Sequence, residues 1–281
     1  MTKRLSEDAP ILGILHTITG SSSDYHCFMW YAVRRGWRPC VLNRRGHSGM
    51  TLKVVPHFSI LGNVDDTALM VDQIRRHYPD NFIGLAGLSA GSGQVGLYIG
   101  KQQDKVKIDA AACMGPAWDI SISCQVLQQK LPWFDKFCTR RVQDLYLKPI
   151  KNQPALLSMP EAVKKAWLAQ NLEEWMNFSA PLAGCKDLED YYKENNPMEV
   201  CSGNKVPCLV MNALDDPICP KESISYDLMY NLTNYVFKVT DHGSHVAYNE
   251  GNFAQNNFMY RITLDFFDAV NEENKRFQKF G

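Results

Sequence analysis

The chain has 281 residues, of which 45% are apolar, enough to bury a substantial core. Thirty basic residues balance thirty acidic ones, so no global field favours nucleic acid or an anionic surface. The pairs Arg34-Arg35, Arg44-Arg45, Arg75-Arg76 and Arg140-Arg141 are scattered and read as solvated helix and loop positions rather than a phosphate footprint.

In chain order, short apolar runs alternate with longer amphipathic stretches. Lys3 and Arg4 before "ILGILHTI" loosely imitate a secretion signal, but Glu7, Asp8 and Pro10 precede the apolar run and no small-residue cleavage site follows. "ILGIL" (11–15) is a predicted buried strand, and 22–36 a helix ended by Gly36. "RPCVLN" (38–43) is a strand, 63–79 a helix closed by Pro79, and "NFIGLAG" (81–87) a strand. "GSGQVGLYIGKQ" (91–102) is a helix, "KIDAAACMG" (107–115) and "VPCLVMNA" (206–213) are strands, and "KESISYDLMYNL" (221–232) is helical. "YVFKVT" (235–240) is the last strand, and a final helix starts near Asn257. This alternation predicts an α/β fold, a mostly parallel twisted sheet with helices on both faces.

Residues 119–182 break the rhythm with helical patterns and no strand between them, and a helix start is predicted near Pro160. They form a predicted helical cap inserted between two parts of the core, 1–118 and 183–281. Trp118, Trp133, Trp167 and Trp175 cluster in and beside this stretch, and with its Phe and Leu residues they suggest a lid over an apolar acyl pocket. No segment reaches the roughly 18 apolar residues needed to span a bilayer. Nine cysteines, an odd number with no C-x-x-C pair, argue for free thiols in a reducing, cytoplasmic setting.

The stretch "GLAGLSAGSGQVGLYIG" (84–100) carries two overlapping patterns. Gly91-Ser92-Gly93-Gln94-Val95-Gly96 formally matches the G-x-G-x-x-G of dinucleotide binding. That site belongs in the first strand–helix unit, with a carboxylate ending the next strand, whereas this stretch follows the third strand and the next ends in Gly115-Pro116. Gly93 and Gly96 are therefore expected only to let the helix pack closely on the sheet. Gly87-Leu88-Ser89-Ala90-Gly91 matches G-x-S-x-G, a nucleophile elbow that exposes Ser89 on a strained strand-to-helix turn and directs the Ala90 N–H toward an oxyanion. Such a serine needs an acid and then a histidine, each just beyond a later strand. Asp215 and Asp216 follow "PCLVMNA", and His242 and His245 follow "YVFKVT", at the strand ends where open sheets build their sites.

These residues resemble the α/β-hydrolases, and within them the YheT-like (ABHD-type) esterases and lipases. The resemblance runs from about Pro10 onward and rests on "HTITGSSSDY" (16–25), "NRRGHSG" (43–49), "GLSAGSG" (87–93), "PLAGCKDLEDYYKENNP" (181–197) with "NALDDPICP" (212–220), and "HGSHVAYNEG" (242–251). It favours Asp216 over Asp215, because the family acid directly precedes a proline, and His245 over His242, because its histidine loop matches Gly243-Ser244-His245. It also implies the Ile18 N–H as second oxyanion donor beside Ala90, although Thr17 stands where the family usually has glycine. Relatives carry an N-terminal β-hairpin and often an anchor ahead of the first core strand. Without these, "RPCVLN" becomes a sheet edge open to pairing with a second copy. The implied activity is hydrolysis of carboxylic, lipid-like or medium-chain acyl esters by a serine hydrolase, with no cofactor or metal and no nucleic-acid partner. Transient membrane contact is compatible with that reading. Acyl transfer to alcohols by the same triad, and a non-catalytic binding protein on the same fold, are the alternatives.

Overall fold

The computed structural model describes residues 5–48, 50, 58–251 and 256–280. Lys3, Arg4 and Gly49, which enter the sequence reading, lie outside that set. Six strands, β1 (Ile11–Leu15), β2 (Arg38–Leu42), β3 (Ile83–Leu88), β4 (Ala110–Met114), β5 (Cys208–Ala213) and β6 (Tyr235–Thr240), form one sheet in the order β2-β1-β3-β4-β5-β6. Every pair is parallel, with Leu15 opposite Gly87 and Leu88 opposite Met114. β2 lies at one edge and β6 at the other.

Parallel strands need crossovers, and helices supply them. α1 (His26–Arg34) links β1 to β2, α2 (Val64–His77) leads into β3, and α3 (Ala90–Gln102) follows β3 directly. α2 starts where Asn63 Oδ1 accepts from the N–H groups of Asp65 and Asp66, satisfying two orphan donors of its first turn. Between β4 and β5 come α4 (Ile120–Lys130), α5 (Pro132–Val142), a π-turn (Gln143–Leu147), α6 (Lys148–Ile150), α7 (Pro154–Leu157), α8 (Pro160–Leu168), α9 (Leu172–Ala183) and α10 (Leu188–Asn195). The predicted helix start at Pro160 is where α8 begins. The segment predicted as one helix over 221–232 holds only a 3₁₀ turn, Lys221–Ser223, and the single-turn α11 (Tyr226–Met229). Its serines and asparagines offer the backbone local hydrogen bonds in place of a helical ladder. α12 (Phe258–Phe280) is the last described element.

Alternation along the strands sorts the core onto two faces. Ile11 and Leu15 join Leu85, Val95, Tyr98 and Val210 under α2 and α3, while Leu12 and Ile14 join Phe28, Trp37, Met114 and Phe267 under α1 and α12. A third buried cluster, with Trp175, Met176, Val142 and Tyr191, draws mainly on the helices between β4 and β5. Cys113 and Cys208 are buried in the sheet as small apolar groups, and all nine cysteines are free thiols.

Candidate active site

Ser89 occupies the turn from β3 to α3 in a left-handed conformation, φ 54° and ψ −119°. A side chain there is strained, and the Ser89 N–H, bonded to the Met114 carbonyl at 2.8 Å, helps to hold the turn. The flanking glycines are required by close backbone approach. A Cβ on Gly87 would stand 2.2 Å from the Gly91 carbonyl oxygen, and one on Gly91 would stand 2.2 Å from that of Leu15. Gly93 and Gly96 do something other than predicted: they face the Pro197 ring rather than the sheet.

The loops after β5 and β6 bring the other two side chains to Ser89. His245 Nε2 lies 2.7 Å from Ser89 Oγ, and its Nδ1 lies 2.9 Å from Asp216 Oδ2. A carboxylate can only accept, so Nδ1 carries the ring proton and Nε2 is left to accept from the serine hydroxyl. Asp216 is held by its own turn, where the N–H groups of Ile218 and Cys219 both donate to Oδ1 at 2.8 Å. Asp215 and His242 stand apart from Ser89, with side chains 3.6 Å from each other and His242 almost wholly in solvent. Asp215 instead accepts the Ser244 N–H at 2.8 Å and so braces the histidine loop.

Asp216, Cys219 and His245 place three potential metal ligands within 4.8 Å of one another. Their hydrogen bonds fit a proton relay better than an ion. The Nδ1 proton bridges His245 to Asp216, and the Cys219 thiol, pushed far up by burial, donates to the Gly115 carbonyl at 3.3 Å.

Ile18 and Ala90, the predicted oxyanion donors, line one cavity together with Ser89 and His245. Ala90 is the first residue of α3, where amide protons have no intrahelical acceptor. The orientation of Ile18 follows from the peptide before it. The Thr17 carbonyl accepts from His16 Nδ1–H at 2.9 Å and from Arg44 Nη2. Carbonyl and N–H point in opposite directions across a trans peptide, so the Ile18 N–H points away from Arg44. Further bonds pin the loop: Thr17 N–H to Tyr25 Oη at 2.8 Å, and His47 Nε2–H to the Ile18 carbonyl at 3.0 Å. Thr17 is not among the left-handed residues, so its Cβ is accommodated without backbone strain.

Arg44 corrects the sequence reading. It is not solvated but 3% exposed, with Nη1 donating to the Ile60 carbonyl at 2.9 Å and its backbone N–H to His16 Nε2 at 3.0 Å. Burial, then Arg44, then His47 push the His16 pKa from 6.5 to about 2. Burial and Arg44 push His47 to about 4. Sequence reasoning gave these residues no role, although 16–25 and 43–49 hold all of them; nothing in either segment alone shows that the two loops interlock.

The cavity has a volume of about 520 Å³ and mostly apolar walls, including Leu97 from α3, Leu127 from α4, Phe134 from α5 and Met176 from α9. None of the four tryptophans flagged in the sequence lines it. Trp118 and Trp175 are buried in the core, and Trp133 and Trp167 reach solvent.

Among proteins of known family, the group described as "Serine aminopeptidase, S33" matches residues 7–252. Phospholipase ABHD3 of Mus musculus is 26% identical over 269 residues, covering 94% of this chain and 64% of the relative. The Medium-chain fatty acid ethyl ester synthase/esterase 2 of Saccharomyces cerevisiae is 25% identical over 291 residues, covering 94% of this chain and 63% of the relative. The chain thus spans just under two thirds of the length of these relatives. The crystal structure of the Paleococcus ferrophilus monoacylglycerol lipase superposes with a TM-score of 0.58 at 17% identity, covering 93% of this chain and 96% of that one. The match over most of the sequence, on a parallel sheet with a serine at its strand-to-helix elbow, makes this chain a member of the ABHD-type α/β-hydrolase family.

Proposed function

We propose that the protein hydrolyses carboxylic esters of lipid-like, medium-length acyl groups, with Ser89 as nucleophile, His245 as general base and acid, and Asp216 as the group that orients His245. One observation carries the reading: an unbroken hydrogen-bond chain from Asp216 through His245 to Ser89 that opens on an apolar cavity of about 520 Å³. A cavity of that volume is in the range of small-molecule sites and exceeds what an acetyl group needs.

In this mechanism Ser89 Oγ attacks the acyl carbonyl as His245 Nε2 takes its proton. Asp216 stabilises the imidazolium and fixes its tautomer. The N–H groups of Ile18 and Ala90 receive the charge that develops on the carbonyl oxygen. His245 then protonates the departing alcohol. Water, deprotonated by the same nitrogen, attacks the acyl-enzyme and releases the acid and Ser89. The helices of 119–182 act as a cap on the core of 1–118 and 183–281, with α4, α5 and α9 roofing the acyl site. Free cysteines throughout support a reducing compartment.

Transfer of the acyl group to an alcohol is the second reading. It is favoured by the apolar walls, which disfavour water, and by the yeast relative, whose name includes both synthase and esterase. The test of both is Ser89→Ala, expected to lower cleavage of p-nitrophenyl esters by on the order of 10⁴- to 10⁶-fold and to abolish labelling by a fluorophosphonate. Undiminished turnover in the variant would remove Ser89 from the mechanism. Absence of any adduct in folded wild type would favour a binding protein.

A further inference from the structure

We infer that the outer face of α5 is a docking surface for an anionic lipid bilayer, placed to pass acyl chains into the cavity beneath it; the second half of this statement rests on the acyl-site reading above. At 100° per residue, the buried positions Asp135, Thr139 and Val142 fall on one side of the helix and fix how it sits. The opposite arc carries Trp133, Lys136, Phe137, Arg140 and Arg141, all exposed, with Trp133 at 69% and Phe137 at 54%. No acid shares that arc within α5: Asp135 points inward and accepts the Leu172 N–H at 2.9 Å.

The charge is unbalanced where the aromatics are. Residues 130–151 hold six bases (Lys130, Lys136, Arg140, Arg141, Lys148, Lys151) against two acids (Asp135, Asp144) in a chain whose totals are equal. Lys130 is paired with Glu222, but Lys136, Arg140 and Arg141 have no ion pair among the described residues. Trp and Phe interleaved with unpaired Arg and Lys suit a headgroup layer, the rings seated at the apolar boundary and the cations on phosphate. A second copy of the chain is a poor occupant, because a two-fold interface would set these cations against themselves.

This face also borders the cavity. Phe134, Phe137, Cys138 and Arg141 line it, so Phe137 and Arg141 belong both to the exposed arc and to the cavity wall. The rings of Phe134 and Phe137 stack at 6.0 Å, carrying an apolar surface from the outside of the helix to the inside. Among the described residues that line the cavity, Arg141 is the one Lys, Arg, Asp or Glu, so the wall met by an acyl chain is otherwise free of such charges.

The experiment is vesicle flotation of the full chain with phosphatidylcholine alone and with phosphatidylserine added. Each base near an anionic surface contributes about fivefold in partitioning, so the three together should favour the mixed vesicles by on the order of 10²-fold, and added salt should erase the difference. Lys136→Glu with Arg140→Glu should remove this preference, and Trp133→Ala should weaken binding to both vesicles; none of these three lines the cavity, so turnover of a water-soluble ester should persist. Ser89→Ala should bind like wild type. Binding by a wild type that cleaves no ester would overturn the hydrolase reading and leave docking standing. Ester cleavage without vesicle binding, equal binding to both vesicles, or a concentration-dependent dimer lost in the same variants would overturn docking alone.

Discussion

Arg44→Met tests how the oxyanion loop is held. The substitution keeps the aliphatic stem and removes the guanidinium, so the Ile60 carbonyl loses its 2.9 Å donor and the Thr17 carbonyl is left with His16 alone. The unpaired Ile60 carbonyl costs about 1–3 kcal/mol, and the Thr17–Ile18 peptide, held by the His16 ring alone, is freer to rotate. Rotation turns the Ile18 N–H out of the cavity, and loss of one such donor typically lowers kcat by about 10²- to 10³-fold. The groups that bind the acyl chain are untouched, so KM should hardly move. Arg44→Lys should recover only part of the rate, since one ammonium cannot serve both carbonyls as the fork does. Steady-state kinetics on a soluble ester, with circular dichroism to establish folding, is the assay. A folded Arg44→Met with kcat within about threefold of wild type would refute the positioning argument.

Three further outcomes are expected. Asp216→Ala should lower kcat by on the order of 10⁴-fold while Asp215→Ala, which loses only the brace to Ser244, should cost far less; similar losses in both would contradict the geometry. Gly91→Ala sets a Cβ against the Leu15 backbone and should destabilise by about 1–3 kcal/mol with loss of activity, whereas at Gly93 the nearest atom would be Pro197 Cγ at 3.9 Å and alanine should be tolerated, both read by thermal melts. His16 and His47 are kept neutral in the fold, at about 2 and about 4 against an ordinary 6.5, so the unfolded chain takes up protons first as pH falls. Stability from these rings is complete above about pH 6.5 and is lost as pH falls, down to about 4 for His47, by about 3 kcal/mol, and on toward about 2 for His16. Urea midpoints should fall across that window and fall less in His47→Gln; a flat profile would mean the rings are not held neutral.

Much of the fold was legible because it rests on local signals. Apolar runs such as "ILGIL" mark strands, as does the β-branched and aromatic "YVFKVT", and the amphipathic stretches between them supply parallel crossovers, which is why the six predicted strands all join one parallel sheet. The weak segment, 221–232, failed because its polar residues bond locally instead of propagating a helix. The glycines of 84–100 divided by tertiary contact alone: Gly87 and Gly91 meet backbone, while Gly93 and Gly96 meet a proline ring more than a hundred residues away.

By itself the sequence determined the sheet, the elbow bearing Ser89, and the acidic and histidine loops at the strand ends, because each is written in short-range pattern and chain order. Choosing Asp216 over Asp215 and His245 over His242 took the resemblance to relatives, since neighbouring residues of one type have no distinguishing local signal. Only the tertiary structure decided that Arg44 is buried beneath Thr17, that the cavity is walled by Phe134 and Met176 rather than by tryptophan, and that Lys136, Arg140 and Arg141 lie on the exposed side of α5. Those are matters of which loop meets which and which side of a helix is covered, and such contacts arise from packing over long separations in the chain, where no local pattern records them.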